Sequence, residues 1–340
     1  MNSLSWGILG TGRIAGVFAK NLPKSKTGKL VAVGSRSQTS ADRFGAEFNI
    51  IRRHASYQAL LDDPSVQAVY ISTPHPMHAE WSIKAAQAGK HILCEKPLAL
   101  NHADAVTVID AARRHNVFLM EAFMYRCHPQ TVKLVELLAQ KTIGEVRMIQ
   151  ASFGFHREFN PNQRLFSNEL GGGGILDVGC YPVSMSRLLA GAALGNPFAN
   201  PIEFTGCGHL ATTGVDLWAV ASAKFPGNII AALATSIQVQ QDNTLRVYGA
   251  EGSLSVRTPW QPALDGGTNT IVLECKGSTR EIVIDSPQPL YAIEADNVAA
   301  HIEQRQSPAM SWEDTLGNMQ TLDRWRAAVG VVYQSEKARK

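Results

Sequence analysis

With 340 residues, 45% apolar and 18% charged, the chain has the composition of a soluble globular protein and is too long for one ordinary core, so two domains are expected. A net charge of +3, with no basic run or basic helix face, argues against a nucleic-acid partner. Cys94, Cys127, Cys180, Cys207 and Cys275 are widely spaced, odd in number and without a CxxC pair, which reads as reduced thiols rather than a disulfide framework or zinc site.

The chain opens on MNSLSWGILGTGR, which moves directly into a strand without a basic region and apolar run. No signal peptide or membrane span is read, and the cytoplasm is the expected location. Through the first 120 or so residues, the apolar runs LSWGILG, KLVAVGS, AVYIST, HILCE and VFLMEAF alternate with helical segments. Buried strands with helical crossovers predict a doubly wound parallel sheet of the Rossmann type, assigned to residues 1–125.

Immediately after the first run comes Gly10-Thr11-Gly12-Arg13-Ile14-Ala15, a GxGxxA pattern opening a helix. The first glycine permits a tight turn, the second lets a pyrophosphate approach the backbone, and the helix N-terminus offers N–H donors. Gly10, Gly12, Arg13 and Ile14 are therefore candidate cofactor contacts, although a lone hexapeptide also fits an ordinary glycine-rich turn. The second run ends in Gly34-Ser35-Arg36-Ser37, where an NAD site usually places Asp or Glu. An acid there repels a 2′-phosphate, whereas Arg36 pairs with it and Ser35 or Ser37 donates to it. NADP is expected over NAD; the other reading of Arg36 is a solvated surface arginine.

Ligands of doubly wound sheets sit beyond the carboxyl ends of the strands. Ser72-Thr73-Pro74-His75 lies at one such end and Glu95-Lys96-Pro97 at another, so Thr73, His75, His78, Glu95 and Lys96 are candidate cofactor contacts. Pro97 fixes a turn that presents the Lys96 ammonium to the nicotinamide, although an isolated Glu-Lys-Pro also reads as a surface turn. His75 and His78 form an HxxH pair without a plausible third ligand, so no metal is expected. Arg126 and His128, in the run after the last strand of the first domain, suit a sugar pocket; the alternative is a linker with solvated side chains.

From about residue 146 the rhythm changes to strand-like runs joined by short turns at Pro226-Gly227, Ala250-Glu251-Gly252 and Lys276-Gly277. This predicts a mostly antiparallel open sheet in an α+β domain over 126–340, introduced by a helix around 174–190 and closed by helices near 290–304 and 312–329. His156, where its first strand ends, is a further substrate candidate. Residues 171–182 read GGGGILDVGCYP, in which Asp177 and Tyr181 stand at i, i+4 on one helix face. A phenol titrates near ~10, and a nearby ammonium lowers that value. Lys96 and Tyr181 together thus make a proton-handling pair for carbonyl and alcohol interconversion. On the helix alone, Tyr181 reads equally as a structural tyrosine bonded to Asp177. Trp81, Trp218, Trp260, Trp312 and Trp325 read as core or interface packing.

Together, the GxGxxA turn, the SRS after the second strand, TPHPMHAEWSIKAAQAGKHILCEKPLAL and GGGGILDVGCYPV resemble the Gfo/Idh/MocA oxidoreductase family over nearly the whole chain. The resemblance is closest to its dimeric dihydrodiol dehydrogenase and NADP-dependent D-xylose dehydrogenase branch. It implies that Lys96 is the catalytic lysine that binds the reacting oxygen, and that Asp177 orients the substrate or the tyrosine. Many members carry His within a DxGxHxxD pattern where this chain has Tyr181 and then Ser184, a departure that favours the tyrosine-using branches. The resemblance also implies a homodimer or higher homo-oligomer built on the free face of the second sheet.

The resulting expectation is an NADP(H)-dependent oxidoreductase acting on a sugar, polyol or cyclic diol. Lys96, Tyr181 and Asp177 are its catalytic candidates, and Arg126, His128, His156, Asp177 and Tyr181 its substrate contacts. Two alternatives stand beside it: a glycosidase working by transient oxidation on a held dinucleotide, and a non-catalytic dinucleotide-binding regulator.

Overall fold

In a computed structural model describing residues 3–337, the chain runs β1 (Leu4–Leu9), α1 (Arg13–Asn21), β2 (Gly28–Gly34), α2 (Gln38–Glu47), β3 (Arg52–His54), α3 (Tyr57–Leu61), β4 (Ala68–Ile71), α4 (His78–Gln87), β5 (His91–Glu95), α5 (His102–Arg114) and β6 (Leu119–Ala122). The six strands form one parallel sheet in the order β3-β2-β1-β4-β5-β6. Every residue of β4 and β6 is buried, which is why their sequences show no polar alternation. The strand order reverses between β1 and β4, the place where sheets of this kind bind ligands beyond the carboxyl ends of their strands.

Local chemistry fixes where the helices begin. Ser37, Ser56 and Asn101 cap α2, α3 and α5, their side chains accepting from the Ser40, Ala59 and Asp104 amides. α1 has no such cap and is pinned by aromatic packing instead. Phe18 stacks on Tyr70 of β4 with centroids 4.0 Å apart and meets Trp6 of β1 edge-on at 5.4 Å.

The remaining elements are α6 (Pro129–Ala139), β7 (Val146–Gly154), a π-helical turn (Ile175–Gly179), α7 (Cys180–Ala193), β8 (Glu203–Leu210), β9 (Asp216–Phe225), β10 (Ile229–Ser236), β11 (Leu245–Gly249), β12 (Gly252–Val256), β13 (Gly267–Cys275), β14 (Ser278–Ser286), α8 (Leu290–Ala300), α9 (Trp312–Val329) and α10 (Gln334–Lys337). The second sheet has eight strands in the order β14-β13-β12-β11-β7-β10-β9-β8. Only the β7–β10 pair among its described registers is parallel, so the mostly antiparallel expectation holds. One face is covered by α7, which packs on β7 and β10, and by Trp325 of α9, whose ring meets Phe204 of β8. On the other face Trp218, Val220 and Ile230 are 39%, 51% and 45% exposed. No helix among the described residues is long and apolar enough to cross a membrane.

Two compact units result, and the second is not the continuous run 126–340. The first holds the residues up to His128 together with Ala263–Gly267 and Ser286–Thr315; the second holds Pro129–Pro262, Thr268–Asp285 and the residues from Leu316 onward. The reason lies in α8. Its Leu290, Ala292, Ala295 and Val298 are buried, and it packs on α1 and β2. Asp296 of α8 accepts from Ser25 Oγ and Thr27 Oγ1 at 2.6 Å, and from the Lys26 and Thr27 amides at 3.0 and 2.9 Å. Burial alone would raise the Asp296 carboxyl, but these bonds bring it below its ordinary value.

Three local features depart from the sequence reading. β3 spans three residues and carries two arginines, too short for a periodic signal. Pro129, directly after the run that holds Arg126 and His128, opens α6 at its first position, where proline is favoured. The helix expected around 174–190 is a π-turn followed by α7.

Candidate active site

In the first unit, the glycine turn is shaped for an anion. Gly10 adopts φ +113°, and a Cβ there would lie 2.9 Å from Ser72 Oγ, so only glycine fits. Gly12 stands at the N-cap of α1, and a Cβ added to it would meet nothing within 4 Å. The first turn of α1 has neither a side-chain cap nor an acidic residue, which leaves its N–H donors for a ligand. Arg13 is exposed and Ile14 half-buried on that turn. Nearby in the fold, Thr73 Oγ1 is a buried hydroxyl without a hydrogen-bond partner among the described residues. A cradle of open backbone donors with a spare hydroxyl fits the pyrophosphate of a dinucleotide.

Beyond β2, Ser35 is buried, with its amide bonded to the His54 carbonyl and its hydroxyl 3.3 Å from Thr11 Oγ1. Arg36 is exposed, and its charge reaches Tyr57: burial raises that phenol while the guanidinium opposes the rise. The Ser37 hydroxyl is already engaged, accepting from the Ser40 amide and donating to Ser40 Oγ at 3.0 Å. Of the three, Arg36 is therefore the side chain most open to a 2′-phosphate.

At the end of β5, buried polar groups hold the turn that carries Lys96. The Tyr70 hydroxyl donates to Glu95, so this carboxylate, read above as a cofactor contact, has an interior partner. Lys96 follows half-buried, and its peptide bond to Pro97 is cis. His78 is buried, with Nδ1 2.8 Å from the Pro97 carbonyl and Nε2 2.8 Å from the Thr73 carbonyl. A neutral ring satisfies one of these carbonyls and an imidazolium both. Glu121 accepts from the Leu98 amide at 2.9 Å. The His75 ring, also buried, meets His78 edge-on at 5.6 Å. Both Glu294 carboxyl oxygens lack a hydrogen-bond partner among the described residues, and burial followed by the Glu95 charge pushes this acid well above its ordinary value.

Two substrate candidates prove to be interior groups. Arg126 forms a buried ion pair with Asp314 and donates to the Ala309 carbonyl at 2.9 Å, so its charge is matched inside the fold. His128 is fully buried, and burial lowers it to about 4, leaving a neutral ring at ordinary pH. His156, by contrast, is exposed at an isolated bridge to Gln238.

In the second unit, Asp177 lies in the π-turn and Tyr181 in the first turn of α7. Single π-turns are frequent at functional sites. Arg164 pairs with Asp177 at 2.8 Å. Tyr181 is buried against two rings, with Phe153 at 5.1 Å and Trp260 at 6.0 Å, both edge-on. Trp260 donates to the Ser152 carbonyl at 2.8 Å, which locks the aromatic wall to β7.

The glycine run is packed against the protein itself. Gly173 adopts φ +108°, and a Cβ there would lie 2.3 Å from Asp216 Oδ1. Asp216, fully buried at the start of β9, accepts from the Ile175 amide at 2.7 Å. Tyr333 donates to the Gly172 carbonyl at 2.7 Å, and Thr235 to the Gly174 carbonyl at 3.1 Å. Sequence reasoning missed Asp216, Tyr333 and the pairing of Trp260 with Tyr181. An acid opening the apolar run LWAVASAKF was the one available signal; nothing local marks Tyr333 or Trp260.

Burial raises the Asp216 carboxyl to about 6 from an ordinary 3.8, against the opposing backbone bonds. The folded chain therefore holds this proton more tightly than the unfolded one, and its contribution to stability is full below pH 3.8 and declines as pH rises to about 6. Denaturant unfolding across that window should show the native chain losing on the order of 3 kcal/mol relative to Asp216→Asn. Parallel stability curves for the two chains would refute this.

The comparisons with known proteins agree with this geometry. Residues 4–123 match an oxidoreductase family with an NAD-binding Rossmann fold, and residues 131–255 match the GFO/IDH/MocA C-terminal domain. Trans-1,2-dihydrobenzene-1,2-diol dehydrogenases of Mus musculus and Xenopus laevis are 32% and 33% identical, covering 98% and 96% of this chain and 99% and 98% of theirs. A 3-ketoreductase from Actinomadura kijaniata, solved in complex with NADP and TDP-benzene, is 26% identical with a TM-score of 0.85 over 96% of this chain and 98% of that one. An aldose-aldose oxidoreductase from Caulobacter crescentus, 22% identical, shares the fold with a TM-score of 0.85 over 100% of this chain and 99% of that one. With both domains matched and relatives aligned along nearly its whole length, the chain belongs to the Gfo/Idh/MocA family and is a dinucleotide-binding oxidoreductase.

Proposed function

We propose that the chain transfers hydride between NADP(H) and the carbinol or carbonyl carbon of a sugar, polyol or cyclic diol. The observation that carries this reading is a convergence at one sheet edge. The Gly10–Gly12 turn, the Thr73–His78 segment and Lys96 leave β1, β4 and β5, three neighbouring strands, at their carboxyl ends. The relatives named as dihydrodiol dehydrogenases support a diol or related ring substrate, and the NADP complex of the ketoreductase supports the cofactor.

When bound, the nicotinamide supplies or accepts the hydride. The open N-terminus of α1 and the Gly10–Gly12 turn bind the pyrophosphate, and Arg36 pairs with the 2′-phosphate. Lys96 polarises the reacting oxygen, and Tyr181 takes or returns the proton. Phe153 and Trp260 keep water from the phenol, and Arg164 sets the carboxylate of Asp177, which orients the tyrosine or the substrate. All five cysteines are free thiols, which supports a reducing compartment such as the cytoplasm. The exposed Trp218, Val220 and Ile230 on one face of the large sheet support a homo-oligomer that covers them.

NADPH formation across aldoses, inositols and cyclic diols, trans-1,2-dihydrobenzene-1,2-diol included, tests the reaction. Lys96→Met is expected to cut kcat by about 10²-fold or more on any substrate found; undiminished turnover would sink the mechanism. Arg36→Asp should weaken NADP⁺ at least about tenfold relative to NAD⁺, and an equal loss of both would remove the specificity argument. Light scattering should report an assembly that Val220→Lys shifts toward the monomer; a monomeric native chain would end that part of the proposal.

A further inference from the structure

The candidate proton-handling helix is entered through a backbone segment that two distant side chains hold, one at a carbonyl and the other at an amide. Tyr333 is fully buried and its hydroxyl donates to the Gly172 carbonyl at 2.7 Å. Asp216, also fully buried, bonds the Ile175 amide at 2.7 Å and occupies the space that a side chain at Gly173 would need. One peptide unit, Gly173–Gly174, lies between the two anchored ones. The Asp177 amide then bonds the Gly173 carbonyl at 3.2 Å, and the π-turn passes into α7 without an intervening loop. A change at Gly172 or Ile175 is therefore passed along helical hydrogen bonds to Tyr181.

Tyr333 is itself held in place. Asn168 donates to the Val332 carbonyl at 3.1 Å and accepts from the Gln334 amide at 2.8 Å, tying this segment to the start of the glycine run. Arg326 of α9 lies over the Tyr333 ring, 4.9 Å from its centroid, and pairs with Glu336 of α10 at 2.9 Å and Asp323 at 2.8 Å. The Tyr333 amide also donates to Glu336 at 3.1 Å. So many directed bonds around a segment with little regular structure indicate a fixed support.

We propose that Tyr333 and Asp216 are positioning residues for the reaction: they set the entry angle of the π-turn and thereby the placement of Tyr181 and Asp177. This rests on the reading of Tyr181 as the proton-handling group. Neither anchor meets the substrate; each acts through the backbone of residues 172–175. The body of α7 has its own fixings, among them Arg187, which donates to Asn200 Oδ1 at 2.7 Å. Loss of one anchor therefore disturbs the helix entrance and leaves the fold standing.

The test is a double-mutant cycle on the full chain, assayed with NADP⁺ and the substrate that the panel identifies, beside amide hydrogen exchange on the same proteins. Tyr333→Phe is expected to lower kcat about tenfold with KM within about twofold, and to add less than about twofold in a Tyr181→Phe background. Exchange at amides 173–181 should quicken about tenfold in Tyr333→Phe while amides of the parallel sheet keep their protection. Asp216→Asn, which keeps an acceptor for the Ile175 amide, should retain more kcat than Asp216→Ala. Multiplicative losses in the cycle, or unchanged exchange at 173–181, would overturn the positioning role. A Tyr181→Phe chain as active as the native one would overturn the reading of Tyr181 instead, a result the cycle separates from the first.

Discussion

An ammonium group directs chemistry only from a backbone that does not yield, and in the first unit that constraint falls on the peptide groups around Pro97. The Pro97 carbonyl faces His78, the Leu98 amide bonds to Glu121, and Glu95 takes the hydroxyl of Tyr70. These partners come from α4, β6 and β4, so three elements must be in register before Lys96 stands where it does. Buried hydrogen bonds of this kind are strengthened by the low dielectric around them, and each is costly to leave unmade. A charged pair closing an apolar strand is then no anomaly: one charge belongs to the interior network and the other is presented by it.

The second unit meets a similar demand by different means. Its candidate side chains, Asp177 and Tyr181, sit on a helical segment rather than a strand end, and a helix is placed by the direction in which the chain enters it. Four glycines let the backbone turn against a buried carboxylate, and the π-turn that follows keeps one extra residue in the helical path. The acid at the bottom of this turn is retained although burial raises its cost. Phe153 and Trp260 pack edge-on against the tyrosine ring and fix the plane in which it lies.

Much of this is legible in the amino-acid sequence. HILCE and AVYIST read as strands buried on both faces, and the strand-like runs joined by short turns after residue 146 read as a mostly antiparallel sheet, to which β9 belongs. GxGxxA, Glu-Lys-Pro and the glycine run carried local signals because each demands unusual backbone or charge at a fixed place. What stayed hidden depends on partners far away in the chain. Arg126 and His128 look like pocket residues in sequence, and only the buried Asp314, 188 positions later, shows why a guanidinium belongs there. Tyr333 is separated from Gly172 by 161 positions, and no local pattern encodes that bond. Trp260 was read as packing, which is true of its burial and silent about the phenol it packs against.

The return of α8 to the first unit has a consequence for how the protein is made and how it can be recombined. A ribosome releases the Rossmann strands long before Asp296 emerges to close the loop at Ser25–Thr27 and Glu294 reaches its place near Glu95. The early unit therefore waits, part of its surface uncovered, until the chain has run on from His128 to α8; the stretch from Pro129 to Pro262 belongs to the other unit. No single breakpoint divides the gene into two self-sufficient halves. A crossover near residue 128 would graft one ancestor's strands onto another ancestor's α8, so the two units are obliged to be inherited as a pair.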